Sequence, residues 1–173
     1  MKYNVRLAKK DDLMAIKEIY NEGIEDGIAT LETRLRNDEE ILTWFRGKST
    51  RHKVLVVEGL KDPHSQGGIV LGWAALNVFN PRACYDGVAD FSIYIRRTMR
   101  GKGLGKLLLQ ALIEVAPKEN FHKLVLSTFV INEAGQRLYQ SLGFREVGTY
   151  FKQGRVGDQW IDITIMEKIL IQD

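Results

Sequence analysis

Cysteine is nearly absent from this chain: Cys84 stands alone among 173 residues. An internal disulfide is therefore excluded, and a reducing compartment is the natural setting. Histidine is scarce too. His52, His64 and His122 are scattered without the spacing of metal ligands, so no bound metal is expected. No apolar run approaches the roughly 20 residues needed to cross a bilayer, and no membrane association is expected. The first residues have neither the apolar core of a secretory signal nor the character of a transit segment, which makes the cytoplasm the expected location. The formal net charge is only +3, too little by itself to argue for nucleic acid. Internal repeats, low-complexity segments and linkers are also missing, so residues 1–173 are read as one domain. A chain of this length buries about two-thirds of its unfolded surface, enough for a real core.

What the chain does have is glycine, and at one place three of its 16 alternate within seven residues. Arg100-Gly101-Lys102-Gly103-Leu104-Gly105-Lys106 follows a strand-like stretch and opens the most amphipathic helix pattern in the sequence. Alternating glycines let a ligand approach the backbone, and N–H groups at a helix N-terminus favour an anion. Arg96, Arg97, Arg100, Lys102 and Lys106 add positive charge, with no acid between Phe91 and Ile113. The stretch reads as a pyrophosphate cradle. It is not a P-loop, because Arg100 stands where the first glycine belongs and Leu107 follows the lysine. It is not a dinucleotide fingerprint either, since the third glycine comes one residue early, at Gly105. A glycine-rich turn before an ordinary helix is the competing reading.

Periodicity gives the order of elements. Val5 and Leu7 mark a first strand, and Asp11 or Asp12 can cap a helix carrying Leu13, Ile16, Ile19, Tyr20 and Ile24. A second helix is expected over 38–45 and strands over 54–57 and 69–76, with a loop over 61–68. Another strand covers 88–95. The helix after the cradle presents Leu104, Leu107, Leu108, Ala111, Leu112 and Val115 as one stripe and ends at Pro117. A strand over 124–128, a helix over 133–142 stopped by Gly143, and strands over 147–151 and 160–166 complete the chain. The order β-α-α-β-β-β-α-β-α-β-β predicts an α/β (α+β) fold, with a mixed sheet covered by helices.

The Arg100-x-x-Gly103-x-Gly105 pattern after a strand resembles the coenzyme A loop of the GCN5-related N-acetyltransferases. The element order extends that resemblance over nearly the whole chain. Three segments are similar to the phosphinothricin acetyltransferase-like branch. They are Ile19-Tyr20-Asn21-Glu22 with Ala29-Thr30-Leu31-Glu32-Thr33; Arg82-Ala83-Cys84-Tyr85 leading into Asp90-Phe91-Ser92-Ile93-Tyr94-Ile95; and Asn132, Leu138-Tyr139-Gln140-Ser141-Leu142-Gly143-Phe144, Val147-Gly148 and Gln159-Trp160-Ile161-Asp162.

The resemblance implies a GNAT fold, with a mostly antiparallel sheet whose central strands splay, and acetyl-CoA as cosubstrate. Backbone groups of Ile93, Tyr94 and Ile95 would bind the pantetheine arm like an added strand. Arg100, Gly101, Lys102, Gly103, Leu104, Gly105 and Lys106 would hold the pyrophosphate, and Asn132 would contact the coenzyme arm. Asp90 stands where the family usually has Glu, as base or water-relayed base; Tyr139 stands near the departing thiolate, where phosphinothricin enzymes often carry His. Leu31, Arg82 and Tyr85 would line the acceptor, with Arg82 gripping a carboxylate. The branch also implies a homodimer.

The expected activity is direct acetyl transfer to the amine of a small amino acid or analogue. Another amine (a polyamine, an amino sugar, a protein N-terminus) and a non-catalytic acyl-CoA sensor are the alternatives. Cys84 lacks a paired histidine, so nothing argues for an acyl-cysteine intermediate. No basic run interleaves with aromatics, which argues against nucleic acid.

Overall fold

The computed structural model describes residues 3–59 and 68–171; the loop expected over 61–68 lies almost wholly outside the described residues. The elements are β1 (Tyr3–Leu7), α1 (Leu13–Asp26), α2 (Asp38–Arg46), β2 (Val54–Gly59), β3 (Ile69–Val78), β4 (Val88–Ile95), α3 (Leu104–Val115), β5 (Lys123–Phe129), α4 (Glu133–Ser141), β6 (Arg145–Val156) and β7 (Gln159–Ile169). They form a sheet of order β1-β2-β3-β4-β5-β7-β6, and every pairing is antiparallel except β4–β5. The expected order and mixed sheet are both present.

The side-chain period of two in β2 and β3 divides the core between two faces of the sheet. Leu55, Val57, Ala74 and Leu76 face α3, while Val54, Val56, Trp73 and Ala75 face α1 and α2. Both faces are covered, so Val54–Val57 of β2 reads as an unbroken apolar run rather than an alternating one. On α3, Leu104, Leu108, Leu109 and Leu112 are at most 1% exposed, each worth about 2 kcal/mol of burial. Leu107, assigned to the buried stripe by spacing, is instead exposed. The buried face is centred on 104, 108 and 112 and turns toward Leu109.

Helix boundaries follow local chemistry. Asn37 caps α2 reciprocally: its Oδ1 accepts the Glu40 N–H and Glu40 Oε2 accepts the Asn37 N–H, both at 2.9 Å. Asp12 does not cap α1 with its side chain. It accepts the Lys9 N–H at 2.7 Å and two bonds from the Arg6 guanidinium, closing a 3-10 turn instead.

The feature that creates the site is the short parallel pairing. β4 and β5 are joined only at Val88–Lys123, Ala89–Leu124 and Asp90–Val125. Beyond Asp90 the strands part. Phe91, Tyr139 and Phe144 fill the base of the gap with ring centroids 5.6–6.1 Å apart.

Candidate active site

The cradle sits at one end of this gap. Gly101 and Gly103 adopt left-handed backbone, with φ of 72° and 82°, which a side chain would strain. Gly103 is the N-cap of α3, and the first intrahelical bond runs from the Leu107 N–H to its carbonyl at 3.1 Å. The N–H groups of Leu104, Gly105 and Lys106 therefore have no acceptor within the helix and are free to meet an anion. Gly105 has a different purpose: a Cβ there would stand 3.1 Å from Leu138 Cδ2, so it permits close packing of α3 on α4. Leu104 buries its side chain in the core, leaving only its backbone for a ligand.

The basic cluster expected around the cradle is largely neutralised by α1. Arg96 meets Glu18 at 3.1 Å, Arg97 meets Glu25 at 3.0 Å and Asp26 at 2.8 Å, and Arg100 meets Asp26 at 2.5 Å. Burial pushes the Asp26 carboxyl up, yet hydrogen bonds from Arg100 and Arg97 hold it below the usual range. Among the described residues, Lys102 and Lys106 are the members of the cluster with no carboxylate partner. The Arg100 side chain also donates to the Ile95 carbonyl at 3.1 Å, so it braces the end of β4.

Two cavities meet across the gap. One, about 370 Å³, runs from Gly101–Lys106 along Ile93, Tyr94 and Ile95. The other, about 350 Å³, holds Asp90, Ser92 and Leu31, with Tyr150 and Gln153 from β6. Ile93, Tyr94, Asn132 and Tyr139 line both. The β5-facing edge of β4 past Asp90 has no strand partner, so its backbone is available to an extended ligand. Tyr94 reaches its place only because α1 has Gly23 beside it, where a Cβ would stand 2.8 Å from the ring.

Asp90 is the carboxylate in the second cavity. Burial pushes it up to about 6, while hydrogen bonding by Asn77 and the Lys48 charge pull it down. It is ionised at neutral pH, yet far more basic than a solvated carboxylate near 4. Tyr139 is buried, which pushes its phenol up to about 12, and the negative charge of Asp90 adds to the rise. Asn132 is more constrained than its sequence position suggests. Its Oδ1 accepts the Gly135 N–H at 3.1 Å as the cap of α4, and its Nδ2 donates to Thr128 Oγ1 at 3.0 Å.

Of the acceptor residues, Leu31 is in the cavity wall, resting against Gly154 of β6. Arg82 and Tyr85 are not. They lie exposed on the connection from β3 to β4, with Tyr85 edge-on to Phe79 at 5.5 Å. Residues not singled out from the sequence complete the site: Lys48 and Asn77, which flank Asp90, and Tyr150 and Gln153. Asn77 is the cross-strand neighbour of Asp90 on β3, while Lys48, Tyr150 and Gln153 come from parts of the chain more than 40 residues away and only the tertiary fold brings them near.

An open-edged strand beside a left-handed glycine cradle is the arrangement of a known family, and its sequence profile matches residues 15–144. The chain belongs to the Acetyltransferase (GNAT) family. It is an acyltransferase, similar to the phosphinothricin acetyltransferase-like members. An L-methionine sulfoximine/L-methionine sulfone acetyltransferase of Pseudomonas aeruginosa is 30% identical over 167 residues, covering 96% of this chain and 94% of its own. An N-acetyltransferase of Staphylococcus aureus superimposes with a TM-score of 0.90 at 32% identity, covering 99% of this chain and 100% of its own. A GNAT phosphinothricin acetyltransferase of Sinorhizobium meliloti, solved with acetyl-CoA, gives a TM-score of 0.88 at 28% identity, covering 98% of this chain and 89% of its own. Among the described residues no cluster of three His, Cys, Asp or Glu could hold a metal, and no helix is long and apolar enough to cross a membrane.

Proposed function

We propose that this GNAT enzyme transfers acetyl from acetyl-CoA to the α-amine of a small amino acid or analogue of the methionine sulfone or phosphinothricin type. The observation that carries the reading is the meeting of the two cavities at Ile93, Tyr94, Asn132 and Tyr139, with the cradle on one side and Asp90 on the other. The names of the relatives support the acceptor class.

Acetyl-CoA supplies the acetyl group as a thioester. Residues 101–106 hold the pyrophosphate through backbone N–H groups, and the open edge of β4 pairs with the amides of the arm. A backbone N–H of β4 meets the thioester oxygen and stabilises its developing charge. Asp90 receives the proton of the attacking amine, directly or through one water. An alkyl ammonium near 10 is a poor match for a carboxylate near 4, but a carboxyl at about 6 narrows the gap, and the nitrogen becomes more acidic as its bond to carbon forms. Tyr139, at about 12, is a weaker acid than a thiol near 8.5, so its main effect is a hydrogen bond to the departing sulfur rather than full proton transfer. Leu31 shapes the acceptor wall. Arg82 and Tyr85 lie outside the cavity lining, and Arg82 would have to reach in to meet an acceptor carboxylate.

The same reading makes the enzyme a cytoplasmic homodimer without nucleic-acid partners. Exposed Tyr150, Phe151 and Trp160 on the outer β6–β7 hairpin support pairing with a second copy. Light scattering tests the dimer. A screen of amino acids, methionine sulfone, phosphinothricin, polyamines and peptides with acetyl-CoA, read as thiol release, tests the acceptor. Highest kcat/KM on an amine with no acidic group would overturn the amino-acid assignment.

A further inference from the structure

Lys48 lies in the connection between α2 and β2, far in sequence from Asp90. An ammonium can only donate hydrogen bonds. Lys48 gives one to the Leu76 carbonyl at 2.8 Å and another to Oδ1 of Asn77. Its ammonium also stands 5.0 Å from the centre of the Trp44 ring. The bond to Oδ1 decides which way the Asn77 amide points: oxygen toward Lys48, NH2 toward β4. Nδ2 then donates to Ser92 Oγ at 3.0 Å. Asn77 is also the direct cross-strand partner of Asp90, so the two side chains share one face of the sheet. A chain of hydrogen bonds thus runs from Lys48 through Asn77 to Ser92 across β3 and β4, beside the carboxyl in the acceptor cavity. If the amide turned over, carbonyl lone pairs would face a carboxylate, and both are acceptors.

We propose that Lys48 and Asn77 are positioning residues for Asp90: the Lys48 ammonium locks the Asn77 amide with its NH2 turned toward Ser92 and its cross-strand neighbour Asp90, and so keeps the carboxylate ionised and aimed at the acceptor. This rests on the reading of Asp90 as the base. The surrounding charges agree with it. Burial pushes Lys48 down to about 8, with Asp90 opposing, so it still carries its proton at pH 7. Tyr139 from α4 and Tyr94 from β4 face Asp90, and both phenols are pushed up and stay neutral. His52, which faces Lys48, is pushed down by burial and by the Lys48 and Arg51 charges, with Asp86 opposing. Lys48 is thus the cation that acts on Asp90, and removing it destabilises the charged carboxylate.

The test follows the Asp90 side-chain carboxyl by 13C NMR in the free enzyme, assigned with Asp90→Asn, beside the pH dependence of kcat/KM. Lys48→Met should raise the Asp90 titration midpoint by about one pH unit and move the acid limb of kcat/KM with it, while the KM for acetyl-CoA stays put. Asn77→Leu should raise both in the same direction with Lys48 still present. Lys48→Arg, which keeps charge and donors, should restore most of the shift. An unmoved Asp90 midpoint in folded Lys48→Met overturns the proposal. Should that variant fail to fold, an unmoved midpoint in Asn77→Leu overturns it equally. If the acid limb survives in Asp90→Asn, the base assignment fails; the NMR midpoints still report whether Lys48 and Asn77 govern the carboxyl.

Discussion

At the cradle end of the β4–β5 gap, the proposed pyrophosphate site is one short segment, Gly101 to Lys106, which offers mainly backbone N–H groups. At the acceptor end, Leu31, Lys48, Asn77, Asp90, Tyr139 and Tyr150 come from six separate parts of the chain and offer side chains. The first surface tolerates changes of charge and resists changes of backbone freedom. The second should respond the opposite way, since a side chain that loses its proton or its neighbour loses its purpose. A site built from backbone is specified by glycine; one built from side chains is specified by sheet register.

The sharpest way to break this contrast is Gly103→Val. Its left-handed φ of 82° penalises a β-branched side chain, and the branch also crowds the anion position. Acetyl-CoA binding should vanish in calorimetry with the fold retained by circular dichroism. Undiminished affinity would mean that the cradle is only a turn.

Next in size is Asp90→Ala, expected to lower kcat by about 10²- to 10⁴-fold at pH 7 while acetyl-CoA affinity holds. The parent should lose activity as pH falls through about 6, where the buried carboxyl protonates and can no longer accept a proton. The variant should lose that limb and recover partly at high pH. Tyr139→Phe should cost less, about 10-fold, the value of one hydrogen bond to a developing thiolate. Stopped-flow rates across pH 5–9 would separate the two.

The smallest effect sharpens the cradle end. Asp26 occupies both Arg97 and Arg100, so Asp26→Asn should release positive charge toward the ligand. Acetyl-CoA should bind a few-fold tighter, with a steeper loss on adding salt. Lys102→Ala should weaken binding by a similarly small factor, because an exposed charge contributes little.

Much of the fold was legible because its signals are local. The limits of β4 were read correctly, as was the order of elements, since β-branched runs, helical spacing and the glycines at 101, 103 and 143 act within a few residues of themselves. Leu107 and Asp12 show where that reasoning stops. Spacing alone cannot tell which way α3 rolls on the sheet, and a carboxylate near a helix start can choose a distant guanidinium over the nearest N–H. The basic cluster was misjudged for the same reason: its acids are local to α1, about 75 residues away in sequence.

The sequence by itself determined the cradle, because left-handed glycines and unpaired helix N–H groups are properties of a single short segment. It also determined which carboxylate and which phenol the proposed chemistry would use. The tertiary structure alone decided that β4 and β5 part after Asp90, that burial lifts this carboxyl to about 6, and that Lys48 and Asn77 stand beside it. Those outcomes depend on register and desolvation, which arise only when strands far apart in the chain are laid side by side.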